Sequence, residues 1–432
     1  MPNIAIVGSG PAGFYAAEAA IKRFGDAVRI DMIDRLPTPF GLIRAGVAPD
    51  HQSIKAVSRR YDATASGGQL RYVGGVTLGT DVGIGELLEA YDAVVLATGA
   101  PHDRSLGIPG EDLPGVIGSA AFVGWYNGHP DHAGLNPPLD AGAVCVIGNG
   151  NVAIDCARVL AKTRAELADS DIAGHALDAL AGSAVRSVHL VGRRGPHQVS
   201  FTPKELGELG ELERATPLVD GADFPPPEAD AALEPGLRKV LAHLRGFAAR
   251  GPDAGKPVRI GFDFFSRPVA VLGEGRAEGL QVERTRVDAD GVATGTGELR
   301  VIPCGMVIPC IGYRTGPVPD VPFDARGGKF MNRDGRIADR LWCTGWARRG
   351  PSGTIGTNRT DAFAVVEAMA AETGEGRPGG AMLDTILAAR GVRASGYDGW
   401  RRIDAAEVAR ARPGAPREKF VTLDAMAAAM GG

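Results

Sequence analysis

The stretch IAIVGSGPAG, residues 4–13, decides the fold. Its apolar first half is typical of a buried strand, and its second half places Gly8, Gly10 and Gly13 at the positions of a GxGxxG motif. The alanine-rich segment that follows predicts a helix. In this context the first glycine permits a tight turn, the second lets a pyrophosphate approach the backbone, and the third lets the helix pack on the strand. The alternative is a glycine-rich turn that binds no ligand.

The next predicted strand, VRIDMID at 28–34, ends in an acid. Asp34 follows Gly13 by 21 positions, the place where a carboxylate can hydrogen-bond a ribose hydroxyl. The first unit is therefore predicted to bind a dinucleotide whose ribose hydroxyl is free.

A second unit of the same kind begins at AVCVIGNGNVAIDCARVLAK, residues 143–162. It has a GxGxxA variant, with Gly148, Gly150 and Ala153 at the motif positions. The strand after its helix ends in Arg193 and Arg194 instead of an acid. Guanidinium groups match the oxygens of a 2′-phosphate, which a carboxylate would repel. The second unit is thus predicted to select NADP over NAD; the alternative is a solvated basic turn.

Two dinucleotide sites in one chain indicate one bound cofactor and one exchanging coenzyme, and flavin with nicotinamide is the natural pair. Two further apolar runs, YDAVVLATGA at 91–100 and CGMVIPCIGY at 304–313, are predicted to be the crossings between two domains. The first domain is then discontinuous. After 341 we expect a strand to 344, a glycine-rich loop and a helix from about Asp361.

Composition excludes several classes. The formal net charge of −4 lacks the basic footprint of a nucleic-acid-binding protein, and no apolar run reaches the length of a membrane span. The chain enters a strand without a signal-peptide pattern, so a cytoplasmic location is expected. Five cysteines without CxxC spacing argue against a metal site and against a redox disulfide.

Several longer motifs resemble those of the adrenodoxin-reductase-like ferredoxin–NADP⁺ reductases, and the resemblance spans almost the whole chain. These motifs are PTPFGLIRAGVAPDH (37–51), DRSLGIPGE (103–111), FVGWYNGHP (122–130), GNGNVAID (148–155), GRRGPHQVSFTPKEL (192–206), GWARRGPSGTIGT (345–357) and PREKF (416–420). The resemblance implies an α/β fold of the glutathione reductase type with two Rossmann-like dinucleotide-binding domains. It also implies that an NADP-binding domain, 104–312, is inserted into a discontinuous FAD-binding domain formed by 1–103 and 313–432.

The resemblance also implies the residues that contact each cofactor. FAD is expected at Gly8, Gly10, Ala12, Gly13, Asp34, Leu42, Leu78, Trp346, Gly353, Thr354 and Ile355. NADPH is expected at Arg104, Asn149, Gly150, Asn151, Val152, Arg193, Arg194 and Glu205, with Gly353 near the nicotinamide. Asp34 stands where many relatives have glutamate, which reaches further toward the ribose.

The family places His51 and Glu208 near the flavin, and we predict that they form a hydrogen-bonded pair guiding proton and charge changes during reduction. From sequence alone His51 is equally interpreted as a structural loop histidine.

The segment 234–251 has apolar residues at helical spacing, and Arg238, Lys239 and Arg245 fall off that stripe. We expect this basic face to dock an acidic ferredoxin; the alternative is a solvated helix face.

NADPH delivers two electrons as hydride, whereas an iron–sulfur protein accepts one at a time, and a flavin serves both. The leading hypothesis is therefore an enzyme that passes electrons from NADPH through FAD to ferredoxin, with a monomer favoured. One alternative is an NADPH-dependent flavin oxidase or monooxygenase acting on oxygen or an organic substrate. Another is a nucleotide-sensing flavoprotein without turnover.

Overall fold

The computed structural model describes residues 1–431, which form two compact units. The first unit consists of residues 1–102, 127–130 and 312–431. The second consists of residues 103–126 and 131–311. Each unit has its own sheet and its own core.

The β-strands are numbered in the order in which they occur along the chain. They are β1 Asn3–Val7, β2 Arg29–Asp34, β3 Leu70–Gly74, β4 Ala93–Leu96, β5 His102–Asp103, β6 Ala143–Ile147, β7 Ser187–Val191, β8 Ala215–Val219, β9 Val258–Asp263, β10 Ser266–Leu272, β11 Gly279–Val287, β12 Ala293–Pro303, β13 Met306–Pro309, β14 Tyr313–Arg314, β15 Phe323–Asp324, β16 Lys329–Phe330, β17 Arg336–Ala338 and β18 Leu341–Cys343.

The α-helices are likewise numbered in chain order. They are α1 Pro11–Phe24, α2 Leu42–Ala45, α3 Gln52–Lys55, α4 Ser58–Ala65, α5 Ile84–Ala90, α6 Ser119–Tyr126, α7 Asn151–Ala161, α8 Gly174–Ala181, α9 Pro203–Glu208, α10 Pro235–Arg250, α11 Trp346–Arg349, α12 Ile355–Ala370, α13 Gly380–Ala389, α14 Tyr397–Ala409 and α15 Leu423–Met430.

The main sheet of the first unit has the order β17-β18-β4-β1-β2-β3, and β1 pairs in parallel with both β2 and β4. Alternate side chains of β1 enter two different cores. Ile4 and Ile6 pack in the cluster that contains α1 and α12, whereas Ala5 and Val7 pack in the cluster that contains α5. Burial on both faces explains why β1 reads as a continuous apolar run.

The second unit repeats this plan with one difference. Its parallel sheet has the order β13-β6-β7-β9-β8. As in β1, alternate side chains of β6 enter two different cores. Val144 and Val146 pack with helices such as α7, whereas Cys145 and Ile147 pack against the antiparallel sheet β10-β11-β12. Parallel sheets with covered faces confirm the predicted α/β class.

The expected helix near Asp361 begins earlier than predicted. The structure starts α12 at Ile355, so the prediction of a loop through 360 was wrong. The hydroxyl of Thr357 accepts a hydrogen bond from the backbone N–H of Thr354 at 3.1 Å, which satisfies one donor just before the first turn. The glycines that suggested a loop are compatible with the helix start.

No helix within residues 1–431 is both long enough and apolar enough to cross a membrane.

Candidate dinucleotide-binding sites

The first glycine loop joins β1 to α1 and has room only for glycine at two positions. Gly8 has φ of +109°, and a Cβ there would lie 2.4 Å from the carbonyl oxygen of Ala97. A Cβ on Gly13 would lie 1.9 Å from the carbonyl oxygen of Gly8. The motif therefore allows close packing of β1 with the β4 end and of α1 with the turn, as predicted from its sequence.

The space beside Gly10 differs. A Cβ on Gly10 would meet only the Cα of Gly41, at 4.0 Å. Gly41 belongs to the PTPFG segment, and the N–H of its neighbour Phe40 donates to the carbonyl oxygen of Ser9 at 2.9 Å. The turn thus leaves backbone accessible at Gly10, where a pyrophosphate approaches in this motif.

Asp34 lies at the end of β2, as predicted, and its carboxylate reaches the glycine loop. One oxygen, Oδ2, accepts hydrogen bonds from the Ser9 backbone N–H at 2.8 Å and from the Ser9 hydroxyl at 2.6 Å. The other oxygen accepts from the N–H of Leu36 at 3.0 Å. A carboxylate has about four lone-pair positions, so one remains for a ligand hydroxyl.

Thr98 is a residue at this loop that the sequence analysis missed. Its hydroxyl oxygen is buried and has no hydrogen-bond partner among residues 1–431. Its backbone nitrogen lies 3.1 Å from a Cβ built on Gly8, so it borders the glycine turn. A buried orphan hydroxyl is the kind of group that a bound ligand satisfies. The only signal in sequence is its place in the small-residue turn after β4.

The remaining predicted residues of the first half of this unit have different surroundings. Ala12 is buried in the first turn of α1, and a Cβ on Gly345 would lie 2.5 Å from its Cβ. Leu42, at the start of α2, keeps 41% of its surface exposed. Leu78 packs at the edge of a core cluster and bridges to Val82.

The GWARRGPSGTIGT segment supplies the other predicted residues. The indole N–H of Trp346 donates to the carbonyl oxygen of Ser352 at 3.1 Å, and its ring stacks on Tyr313 with centroids 6.1 Å apart. Gly353 has φ of +80°, and together with Thr354 it is exposed just before α12. The segment therefore presents backbone groups at the N-terminus of a 16-residue helix.

The second glycine loop, between β6 and α7, repeats the geometry of the first. Gly148 has φ of +145°, and a Cβ there would lie 2.4 Å from the carbonyl oxygen of Cys310. A Cβ added to Gly150 would meet open space within 4 Å. The third motif residue, Ala153, is fully buried in α7. Here too the backbone is accessible at the middle glycine.

Arg193 and Arg194 stand just past β7, and their backbone is held by the antiparallel sheet. The hydroxyl of Thr285 donates to the carbonyl oxygen of Arg193 at 2.7 Å, and the N–H of Phe265 donates to that of Arg194 at 3.3 Å. Arg193 is exposed and Arg194 is half-buried. Within residues 1–431 neither guanidinium has a carboxylate partner, so both charges are available to an anion.

Two buried acceptor atoms lie at predicted NADPH contacts. Asn149 Oδ1 and Glu205 Oε2 have no hydrogen-bond partner in the described part of the chain. The Asn149 side chain packs against the residue before the arginines, because a Cβ on Gly192 would lie 2.0 Å from Asn149 Nδ2. Orphaned buried acceptors fit a ligand that brings hydroxyl or amide donors.

The other predicted NADPH contacts flank this loop. Asn151 Oδ1 accepts from the backbone N–H of Thr202 at 2.8 Å, which ties the start of α7 to the segment before α9. Val152 is half-buried in the first turn of α7, and Arg104 is half-buried in the segment after β5.

His51 and Glu208 lie in different units, and each has its own surroundings. His51 is buried directly before α3, where its carbonyl oxygen accepts from the N–H of Ile54. Glu208 Oε2 lies 3.3 Å from Nε of Arg158, a guanidinium that is 1% exposed. The pairing of His51 with Glu208 stays a prediction.

The helix predicted at 234–251 is α10, and its apolar stripe is buried as predicted. Arg238 and Lys239 are exposed. Arg245 differs, because its guanidinium donates to both carboxylate oxygens of Asp230 at 2.8 and 3.0 Å and lies over the ring of Phe224. Its charge is balanced within the unit.

Comparisons with known proteins agree with this geometry. Residues 2–208 match the family model described as pyridine nucleotide-disulphide oxidoreductase. The chain is 42% identical to human mitochondrial NADPH:adrenodoxin oxidoreductase, covering 97% of this chain and 90% of the relative. It is 40% identical to the NADPH-ferredoxin reductase FprA of Mycobacterium tuberculosis, covering 97% of both chains.

A solved structure extends the similarity to the whole fold. The M. tuberculosis FprA structure in complex with NADPH matches with a TM-score of 0.95 and 39% identity, covering 100% of both chains. The prediction of two dinucleotide-binding domains in an α/β oxidoreductase is confirmed. The chain belongs to the family of adrenodoxin-reductase-like ferredoxin–NADP⁺ reductases.

Proposed function

We propose that this enzyme passes electrons from NADPH through FAD to a ferredoxin-type iron–sulfur protein. The observation that carries the proposal is the contrast between two similar glycine loops. The strand beside the first ends in Asp34, which suits a free ribose hydroxyl, whereas the strand beside the second ends in two arginines that have no carboxylate partner in the described part of the chain. One loop thus suits FAD and the other suits the 2′-phosphate of NADPH.

The proposed FAD-binding domain, 1–103 with 313–432, corresponds to the first unit except at residues 103, 127–130 and 312. Its fit rests on the open backbone at Gly10 and on the orphaned hydroxyl of Thr98. The helix α1 begins at this loop, so its N-terminal N–H groups suit a pyrophosphate. The contacts proposed from the family resemblance are Gly8, Gly10, Ala12, Gly13, Asp34, Leu42, Leu78, Trp346, Gly353, Thr354 and Ile355.

The proposed NADPH-binding domain, 104–312, corresponds to the second unit except at the same residues. Arg193 and Arg194 bind the 2′-phosphate, and the orphaned acceptors of Asn149 and Glu205 receive hydrogen bonds from the coenzyme. The other proposed contacts are Arg104, Gly150, Asn151 and Val152.

FAD supplies the conversion of a two-electron hydride into single electrons. The chain's own residues bind and orient the partners of that transfer. We keep His51 and Glu208 as the pair that holds and moves a proton near the flavin. His51 is buried, so packing around its ring fixes its position. The ion pair with Arg158 holds the Glu208 carboxylate in place.

The proposed acceptor-docking face is on α10. Arg238 and Lys239 are its exposed charges, and Arg245 shapes the face through its pairing with Asp230. An exposed basic face steers an acidic partner by long-range attraction. Nothing in this role requires more than one copy of the chain, and we propose a monomer.

Steady-state kinetics with NADPH and NADH test the coenzyme site. Hydrogen bonds to charged groups contribute about 1.5–3 kcal/mol each, so R193A and R194A should each raise the KM for NADPH about tenfold or more and leave that for NADH nearly unchanged. R186A is the matched control, because Arg186 is exposed at the opposite end of β7. Equal weakening of both coenzymes would contradict the 2′-phosphate assignment.

The acceptor requires a separate assay. The NADPH-reduced enzyme should reduce an acidic ferredoxin, and the reduced ferredoxin should then reduce cytochrome c, whose absorbance is measured. If the reduced enzyme consumes oxygen rapidly but does not reduce ferredoxins, the oxidase alternative replaces this proposal. If NADPH binds without reducing the flavin, the sensing alternative does.

A further inference from the structure

Two cysteines that are 154 positions apart in the chain lie together at the second glycine loop. The Sγ atoms of Cys156 and Cys310 are 3.9 Å apart. Cys156 is fully buried in α7, and Cys310 follows the end of β13 and is half-buried. CxxC spacing is absent from the sequence, so only the parallel pairing of β13 with β6 reveals this proximity.

Cys310 is also in contact with the glycine turn. Its N–H donates to the carbonyl oxygen of Ile147 at 2.7 Å, and a Cβ on Gly148 would lie 2.4 Å from its carbonyl oxygen. Cys156 sits on the helix that begins at Asn151, directly after the loop. A bond between the two sulfurs would therefore tie together the two segments that flank the turn.

We propose that Cys156 and Cys310 form a disulfide when the enzyme meets peroxide, and that this disulfide lowers the affinity of the second loop for NADPH. The effect on affinity rests on the proposed function, whereas formation of the disulfide does not.

Peroxide is both the oxidant and the source of the leaving groups. The sulfur of Cys310, the more exposed of the two, attacks one peroxide oxygen, the O–O bond breaks, and a sulfenic acid and water form. The sulfur of Cys156 then attacks the sulfur of Cys310, the S–O bond breaks, and hydroxide leaves with the thiol proton as a second water. Two thiols thus lose two electrons and two protons to one hydrogen peroxide.

The order of these steps follows from the surroundings of each thiol. The hydrogen bond between the two thiols, together with burial, raises the pKa of Cys156 well above its ordinary value. Cys156 is therefore a poor first nucleophile, and it reacts only after Cys310 has been oxidised beside it.

The bond requires movement at the loop. A disulfide has an S–S distance of about 2.05 Å, so the sulfurs must approach by nearly 2 Å in a closely packed interior. Because the backbone of Cys310 lies directly beside Gly148 and is hydrogen-bonded to Ile147, part of this movement is transmitted to the glycine turn. The phosphate-facing backbone then leaves its binding geometry.

A second cysteine pair provides an internal control. Cys145 and Cys304 interact through their thiols in the same unit, and the hydrogen bond with Cys145 lowers the pKa of Cys304, but the two residues are only 0% and 4% exposed, which shields them from peroxide. Peroxide should leave this shielded pair reduced. The variant C145A should therefore keep the full peroxide response.

The test treats the FAD-loaded enzyme with hydrogen peroxide and maps its peptides without reduction. We expect the five free thiols to fall to three, a peptide linking Cys156 to Cys310, and a KM for NADPH raised about fivefold or more in dye reduction. Dithiothreitol should reverse both changes. C310S and C156S should each lose the peroxide effect on KM.

The outcomes separate the two parts of the inference. If folded, unmodified enzyme forms no link between these residues, or links Cys145 to Cys304 instead, the disulfide is wrong. If the link forms and the KM does not change, the control of NADPH binding is wrong. If the untreated enzyme does not use NADPH, the proposed function fails, while the peptide map still reports on the disulfide.

Discussion

The carboxylate of Asp34 accepts two hydrogen bonds from Ser9, one from its backbone N–H at 2.8 Å and one from its hydroxyl at 2.6 Å. The end of β2 is thereby fastened to the turn between β1 and α1. Asp34, which is shorter than the glutamate of many relatives, contacts the glycine loop itself. This contact positions the backbone that faces the proposed pyrophosphate. Asp34 thus serves as a positioning residue as well as a proposed ribose contact.

Substitution of Asp34 should therefore weaken FAD retention through the loop. D34A removes charge-assisted hydrogen bonds worth about 1.5–3 kcal/mol each, whereas S9A removes only one of them. We expect the ratio of bound FAD to protein after gel filtration to fall strongly in D34A and slightly in S9A. If both variants keep stoichiometric FAD at low concentration, the contact does not position the loop.

Sequence patterns predicted those parts of the site whose residues are close together in the chain. A strand, a glycine turn and a helix are consecutive in sequence, and in the first unit sterics require glycine at Gly8 and Gly13. Thr98 was missed because it reaches the turn from β4, far along the chain, where nothing in a small-residue run marks a single hydroxyl. The proximity of Cys156 to Cys310 could not be predicted for the same reason, because the two residues are far apart in the chain.

Charge on a helix face was also only partly predictable. The helical period separated Arg245 from the buried stripe, but its neutralisation depends on Asp230, which lies in a short 3₁₀ turn fifteen positions earlier. The hydrogen bond from Arg245 lowers the pKa of Asp230, which keeps this carboxylate charged. A sequence pattern within α10 contains no information about that turn.

Charge reversal at Arg238 and Lys239 should therefore have a different effect from charge reversal at Arg245. R238E with K239E should slow ferredoxin-coupled cytochrome c reduction and leave the melting temperature and small-dye reduction nearly unchanged. Added salt should slow the unmodified enzyme in the same assay, since exposed charges are screened over about 10 Å at 0.1 M ionic strength. Normal ferredoxin kinetics in the double variant would exclude this face from docking.

R245E should instead lower stability, because it places a carboxylate beside Asp230. R245M is its matched control, since it removes the ion pair but keeps an apolar side chain against Phe224. Thermal unfolding should rank the unmodified protein above R245M and R245M above R245E. A melting temperature unchanged in R245E would show that the pair does not hold this face.

A buried ion pair fastens the C-terminal part of the first unit to the PTPFGLIRAG segment. Glu407 is fully buried and accepts two hydrogen bonds from Arg44, at 2.9 and 2.5 Å. Removing one member of a buried pair costs about 3–5 kcal/mol, because the other charge loses its partner. E407Q should lower the free energy of unfolding by that amount, and E18Q, which alters the partly exposed pair with Arg60, by less than about 1 kcal/mol.

The same pair predicts a dependence on pH. Burial alone would raise the pKa of Glu407, but Arg44 outweighs it and holds the pKa below its ordinary value. Its stabilising contribution is therefore complete above the unfolded pKa of about 4.3 and is lost as the pH falls through the lower folded pKa. Urea unfolding should show the gap between the unmodified protein and E407Q narrowing below about pH 4; a gap that widens with acid would contradict the assignment.

The middle glycines of the two motifs allow each coenzyme site to be tested alone. A Cβ on Gly150 meets open space, and the residue has an extended backbone with φ of −129°, so G150A should fold with an unchanged melting temperature. The added methyl group occupies the space where a pyrophosphate must approach, and the KM for NADPH should rise about tenfold or more while FAD stays bound.

G10A should instead weaken FAD binding and leave the NADPH site intact, because its Cβ meets only Gly41 at 4.0 Å and blocks the first loop. Absorbance at the flavin band, NADPH titration and thermal unfolding distinguish the two variants. Loss of FAD in G150A, or of NADPH affinity alone in G10A, would reverse the assignment of the two loops.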